Sequence, residues 1–314
     1  MAEKDKDVFQ QFRQLTDEIH KKIIGNDEVI ENILIAIFAG GHILLESVPG
    51  MGKTVLIKAV ADTMDMNFMR IQCTPDLTAT DIMGKVNYDE TKKENVLEKG
   101  PIFTNLLLID EINRAQPKTQ SALLEAMAEA EVTLAGVSHK LPQPFTVLAT
   151  ENPVEQMGTY PLPEAQRDRF MFMSVLQYLS LEEEMMIIKT KFKDSAIAPI
   201  FNPPEVLIIR EEIKNNVTMS DSVLEYALKI IGGTRTRREV STGGSPRATI
   251  DFCKAAKARA FFRGRDFVNA EDIKMLSFPV LRHRIILNPD SKDFGITTDD
   301  VIAKVLEHVE PPVD

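Results

Sequence analysis

One segment constrains the fold of this chain more than any other. The short apolar run His42-Ile-Leu-Leu-Glu46 leads directly into Ser47-Val-Pro-Gly50-Met-Gly52-Lys53-Thr54, and helical spacing follows over Val55–Asp62. A nearly continuous apolar run of this length, preceded by Gly40-Gly41, reads as a buried parallel strand. A glycine-containing loop between such a strand and a helix is the context of a phosphate-binding loop. Backbone N–H groups around Gly50 and Gly52 point at phosphate oxygens in that context, and the helix N-terminus adds favourable partial charge. Lys53 then reaches the β- and γ-phosphates and Thr54 ligates magnesium, with Val48, Pro49, Met51 and Val55 completing the loop. The first position of the pattern is Ser47, where glycine is usual. A positive φ there would strain a serine, whereas a negative φ would leave it harmless.

Further short apolar runs alternate with helical patterns. Asn67–Gln72, Leu106–Ile109 and Phe145–Ala149 read as strands, Phe170–Met173 is a further candidate, and a helix is expected over Lys118–Ala130. Such alternation implies a parallel α/β sheet with helices on both faces. The run Leu106-Leu-Leu-Ile-Asp110-Glu111 ends a buried strand in two carboxylates. Asp110 is placed to hold the magnesium shell and Glu111 to polarise an attacking water. Two segments, Val86–Leu97 with its polar middle and Val132–Leu141 turning at Gly136, read as hairpins inserted into the α/β core. Before the first strand, Val8, Phe9, Phe12, Leu15 and Ile19 share a helix side, and Asp27 is positioned to cap a second helix.

The pattern changes after Tyr178. Ser180-Leu-Glu-Glu183 fits a capping box, and Asp194–Pro204 carries three prolines and suggests a linker. Helical spacing alone follows, at about Pro204–Asn215, Asp221–Ile231, Pro246–Arg263 and Ala270–Arg284. The expected organisation is an α/β nucleotide-binding domain over 1–180, a helix and linker over 181–204, and a smaller all-helical domain over 205–314. The chain has 314 residues and a formal net charge of −10, a balance that disfavours nucleic acid as the main partner. Cys73 and Cys253 are far apart, without metal or disulfide spacing, and read as buried reduced thiols. The charged N-terminus has no apolar signal core, and the apolar run Ile33–Ala39 is too short to span a bilayer. No membrane insertion and a cytoplasmic location are therefore expected. The basic cluster around Arg235, Arg237 and Arg238 reads as a solvated loop, and Met64, Met66 and Met69 read as core packing.

Several longer motifs resemble the MoxR family of AAA+ ATPases. They are Asp110-Glu-Ile-Asn-Arg-Ala115 with Lys118–Met127, Ala149-Thr-Glu-Asn152-Pro153 with Gly158–Gln166, Thr74-Pro-Asp-Leu-Thr78, Gly100-Pro-Ile-Phe103 and Leu281-Arg-His-Arg-Ile-Ile-Leu287. The resemblance runs from about Ile23 to Leu287. It implies an AAA+ phosphate-loop core with a parallel sheet and inserted hairpins, plus a smaller all-α lid domain. It implies ATP and Mg2+ as cofactors. By the same resemblance Asn152 looks like sensor 1, which orients the water, and Arg247 like sensor 2, which brings the lid onto the nucleotide. Arg169 looks like the arginine finger that completes a neighbouring subunit's site, although Arg167 stands where the family more usually has an apolar residue. Ile23 and Ile24 resemble the segment that packs near adenine.

The resemblance further implies a homo-oligomer, a hexameric ring, and a chaperone-like remodeller of protein complexes. Metal-cofactor insertion and von Willebrand factor A-domain partners belong to that expectation. Two alternatives stand beside it. One is a helicase-like nucleic-acid motor, disfavoured because Lys85, Lys92, Lys93 and Lys99 are balanced by Asp89, Glu90, Glu94 and Glu98. The other is a nucleotide-gated binding module with weak hydrolysis, which rests on Ser47 alone.

Overall fold

The computed structural model describes residues 3–48, 50–89, 93–152, 158–190 and 196–312. Helices α1 (Glu3–His20) and α2 (Asp27–Ala39) lead to β1 (Ile43–Glu46), and α3 (Lys53–Thr63) returns the chain to β2 (Phe68–Gln72). Next come α4 (Ala79–Met83) and a hairpin of β3 (Gly84–Asp89) and β4 (Glu94–Lys99), then β5 (Leu106–Asp110). Helix α5 (Pro117–Glu129) precedes a second hairpin, β6 (Glu131–Leu134) with β7 (Val137–Lys140), and then β8 (Thr146–Glu151). One helical turn, α6 (Glu164–Arg167), precedes β9 (Phe172–Val175). Helices then dominate: α7 (Leu181–Thr190), α8 (Pro203–Asn216) and α9 (Asp221–Thr236). A short strand β10 (Val240–Thr242) is followed by α10 (Pro246–Phe262), α11 (Ala270–Leu281), β11 (Ile286–Leu287), α12 (Pro289–Asp293) and α13 (Thr298–His308).

Five strands form one parallel sheet in the order β2-β5-β8-β1-β9. The register sets Gln72 beside Asp110 and Leu45 beside Thr150, so the C-terminal ends of neighbouring strands reach one edge together. Side chains alternate between the faces, as the two-residue period of a strand requires. Leu106 and Leu108 enter the core on one face, while Leu107 and Ile109 enter the other. Every residue of β5 is buried, which explains why its sequence shows no polar alternation. Each leucine or isoleucine fully buried there contributes about 1.5–3 kcal/mol.

The core on one face continues without a break into the C-terminal helices, reaching Ile230 and Phe252. A knot of phenylalanines locks that junction. Phe12 of α1 lies 4.9 Å from Phe38 of α2 and 4.0 Å from Phe262 of α10, centroid to centroid. Such ring pairs add about 0.5–1.5 kcal/mol each beyond their area. Charge reinforces the helical half: Asp272, fully buried, accepts from Arg259 at 2.6 Å and from Arg265 at 2.7 Å.

Several local expectations change. Asp27 opens α2 rather than capping it, and the N-cap position is Asn26, in left-handed conformation with no side-chain cap bond. The Ser180–Glu183 box is present, with Ser180 N donating to Glu183 Oε2 at 2.7 Å. The helical half also carries the antiparallel ribbon β10–β11, too short to leave a strand pattern. Met64 and Met66 are buried, but Met69 is 45% exposed and is not core. Both cysteines are free thiols; Cys73 is buried, while Cys253 is only half-buried.

Candidate active site

The loop between β1 and α3 has the geometry that cradles an anion. Gly50 and Gly52 take φ values of 85° and 74°. A Cβ on either would meet nothing within 4 Å, so conformation rather than crowding requires glycine there. Gly52 is the N-cap of α3, and Lys53 is its first helical residue. Ser47 is not among the residues with positive φ, so serine carries no strain at that position. It is buried, its N–H donates to Glu151 O at 3.2 Å, and its hydroxyl donates to Val48 O at 3.1 Å. The concern that Ser47 disables the loop loses its physical basis. Pro49 lies outside the described residues.

A cleft of about 260 Å3 opens over this loop, lined by Gly50 to Val55 on one side and by Arg70, Gln72, Asp110 and Glu111 on the other. Lys53 Nζ stands 3.8 Å from Asp110 Oδ1, with both side chains mostly buried. Asp110 is held from two further directions. Thr150 Oγ1 donates to Oδ1 at 2.8 Å, and Arg70 donates to Oδ2 through Nη2 at 2.7 Å and Nε at 3.2 Å. Glu111 sits just past the strand at φ 56°, a left-handed conformation that costs a non-glycine residue about 1–2 kcal/mol. Thr150 also accepts the Glu111 N–H at 2.8 Å, so one hydroxyl fixes both carboxylate positions. The Glu111 carboxylate receives Arg114 Nε at 2.7 Å and Gln72 Nε2 at 3.1 Å. Thr54 and Asp110 bring a hydroxyl and a carboxylate to the same cleft, and hard oxygen donors of this kind suit magnesium.

None of the remaining candidates lines this cleft. Asn152 is buried immediately beyond β8, the strand between β5 and β1. Ile23 and Ile24 form the half-buried turn between α1 and α2. Arg247 is exposed in the first turn of α10. Arg169 Nη1 donates to Leu124 O at 2.6 Å. Arg167 Nη2 stands 3.8 Å from Glu151 Oε2. Burial raises the Glu151 carboxyl above its ordinary range, Arg167 opposes that shift and Glu46 adds to it.

Comparisons with known proteins agree with this geometry. Residues 42–172 match the family described as ATPase family associated with various cellular activities (AAA), and residues 232–305 match the AAA lid domain. The chaperone MoxR1 of Mycobacterium tuberculosis is 39% identical over 305 residues, 94% of this chain and 81% of that protein. The chain belongs to the MoxR family of AAA+ ATPases. The YeaC protein of Bacillus subtilis is 41% identical over 300 residues, 95% of this chain and 93% of that one. A crystal structure of a Cytophaga hutchinsonii protein superposes with a TM-score of 0.92 at 42% identity, covering 99% and 98% of the two chains.

This MoxR-family chain is therefore an ATPase with a nucleotide-binding α/β core and a lid. Two cleft residues, Arg70 and Gln72, and one that holds Asp110 from behind, Thr150, are not legible in the sequence. Arg70 and Gln72 reach the site only because β2 lies beside β5 in register, and Thr150 only because β8 lies on its other side. The motif containing Thr150 was visible, but its contact with Asp110 was not. Arg235, exposed in the last turn of α9, and half-buried Arg237 each hold a main-chain oxygen, Gly244 O at 2.7 Å and Lys304 O at 2.6 Å, while Arg238 is exposed. Among the described residues no cluster of His, Cys, Asp and Glu is arranged to hold a metal by itself, and no helix is long and apolar enough to cross a membrane.

Proposed function

We propose that this MoxR-family ATPase hydrolyses Mg·ATP as one subunit of a hexameric head-to-tail ring and uses the turnover to remodel partner protein complexes. The observation that carries the reading is the convergence of Lys53, Thr54, Asp110 and Glu111 on one cleft from two separate motifs. In this reading the loop amides and Lys53 bind the phosphates, and Thr54 and Asp110 hold the metal. The metal they would hold would supply charge compensation for the phosphate oxygens. Glu111 takes the proton of the attacking water, Asn152 orients that water, and Arg247 closes the lid. Ile23 and Ile24 flank the adenine.

Support for a shared site comes from the arginines. Neither Arg167 nor Arg169 lines its own cleft, and both hold partners on their own chain. A finger supplied by a neighbour is a heterologous contact, and repeated head-to-tail contacts of this kind close into rings. Arg169 is the finger we favour. We divide the chain into a core over 1–180, a helix and linker over 181–204 and a lid over 205–314, and we place the protein in the cytoplasm, where both free thiols stay reduced.

The MoxR1 relative is named a chaperone. We extend that role here: clients are protein complexes under maturation, including metal-cofactor insertion, and the partners carry von Willebrand factor A domains. The test is capture from cell extract by the Glu111→Gln protein, loaded with Mg·ATP and compared with the ADP-loaded form. Enrichment of A-domain proteins in the ATP form alone supports the assignment. Enrichment of nucleic acid instead, released by salt, would replace it with the motor reading.

A further inference from the structure

Two cations line the cleft, and the proposed chemistry uses only Lys53. The other is Arg70. Strand β2 is at the edge of the sheet, and its register sets Arg70 beside Leu108 and Gln72 beside Asp110. Residues two apart on a strand share a face, so the long Arg70 side chain reaches along the sheet to the carboxylate that ends β5. Its Nη2 and Nε both donate to Asp110 Oδ2, at 2.7 and 3.2 Å, and Nη2 also donates to Gln72 Oε1 at 2.9 Å.

An ionised carboxylate offers about four acceptor positions. On Asp110, Arg70 takes both positions of Oδ2 and Thr150 takes one of Oδ1. Lys53 Nζ stands 3.8 Å from Oδ1, too far for a hydrogen bond but close enough for its charge to act. A metal held at Asp110 therefore meets a carboxylate already shared by two cations. The partners of the Arg70 pair differ in exposure: the Arg70 side chain is 45% exposed, whereas Asp110 is buried. A guanidinium that exposed moves into water at little cost, but a buried carboxylate needs a cation beside it. Magnesium supplies such a cation, so Arg70 and the metal compete for one group.

We propose that Arg70 is a positioning residue that holds Asp110 through Oδ2 in competition with magnesium, and so sets the magnesium concentration at which the site holds nucleotide tightly. The proposal rests on Thr54 and Asp110 as the metal-holding pair. An adjacent arginine lowers a carboxylate's affinity for a proton by about tenfold or more. It opposes a divalent cation in the same direction, and the exposure of Arg70 keeps the effect at the low end of that range.

The test is binding of a fluorescent ATP analogue while magnesium is titrated, in Glu111→Gln protein so that hydrolysis does not intervene. Arg70→Met and Arg70→Gln remove the charge, and Arg70→Lys keeps it. A cooperative urea transition certifies the fold of each variant. The magnesium concentration that gives half of the tightening should be about tenfold lower in Arg70→Met and Arg70→Gln than in the parent, with Arg70→Lys close to the parent. An unchanged or higher requirement in both uncharged variants overturns the competition. Weaker binding of the analogue at saturating magnesium in both would make Arg70 a phosphate ligand and overturns it as well. If magnesium does not tighten binding in the parent, the metal reading of Thr54 and Asp110 falls first and the competition falls with it.

Discussion

At the scale of single residues, the site depends on groups that sequence motifs name and on others that only the sheet register supplies. Glu111 belongs to the first kind. Replacing it with glutamine removes the proposed base but keeps the shape, so turnover should fall at least about 100-fold while ATP binding persists. A steady-state assay beside a nucleotide-binding measurement checks both halves. Thr150 belongs to the second kind. It is fully buried and satisfies Asp110 and the Glu111 N–H at once. Thr150→Val keeps the volume but removes the acceptor of the Glu111 N–H and one of the donors to Asp110, at a cost of about 1–3 kcal/mol in urea unfolding and with slower turnover. Equal stability of the variant would mean that the hydroxyl does not organise the carboxylates.

His42 supplies a pH prediction at the same scale. Its ring bridges Met127 O at 3.0 Å and Val147 N–H at 3.0 Å, tying the end of α5 to the sheet. Nδ1 must accept from Val147, so the neutral ring donates through Nε2. Burial pushes the pKa down to about 4 from 6.5, with Arg210 and Arg247 adding to the shift. The unfolded chain therefore binds more protons between those values, and stability falls as pH drops through that window. The contribution present above pH 6.5 and lost near pH 4 is about 3 kcal/mol. Urea midpoints across the window should flatten in His42→Gln relative to the parent.

At the scale of elements, the five sheet strands were legible because buried parallel strands read as apolar runs between glycines and polar turns. Both hairpins were legible from their polar or glycine turns. The ribbon β10–β11 was not, since three and two residues are too few for any alternation to appear. Helix α13 was missed although Thr297 and Asp300 form a capping box that the sequence displays. Asp27 misled because it is a good capping residue, yet Gly25 and Asn26 both take left-handed conformations and start α2 one residue earlier. The first hairpin can be probed at its root. A Cβ on Gly100 would overlap Ile82 O and Gly84 N, both backbone atoms that cannot step aside. Gly100→Ala should destabilise the protein by about 1–3 kcal/mol, read as a lower urea midpoint. No change would mean that the hairpin root is free to shift.

At the scale of the whole molecule, one core runs from the sheet into the C-terminal helices, so the helical half is packed on the core through α1, α2 and α10. What the sequence could not reveal at this scale is how the parts share the nucleotide. The candidate fingers and Arg247 lie outside their own cleft, and contacts such as Arg284 with Asp168 span 116 residues. The central claim is that each site is completed by a neighbour. The measurement that tests it most directly is ATPase rate per subunit against protein concentration, for the parent chain, Glu111→Gln and Arg169→Ala. The account predicts a parent rate that rises with concentration as subunits assemble, and that is lost in both variants even where they assemble. A per-subunit rate that stays flat on dilution to monomers, or an Arg169→Ala protein as active as the parent, would contradict it.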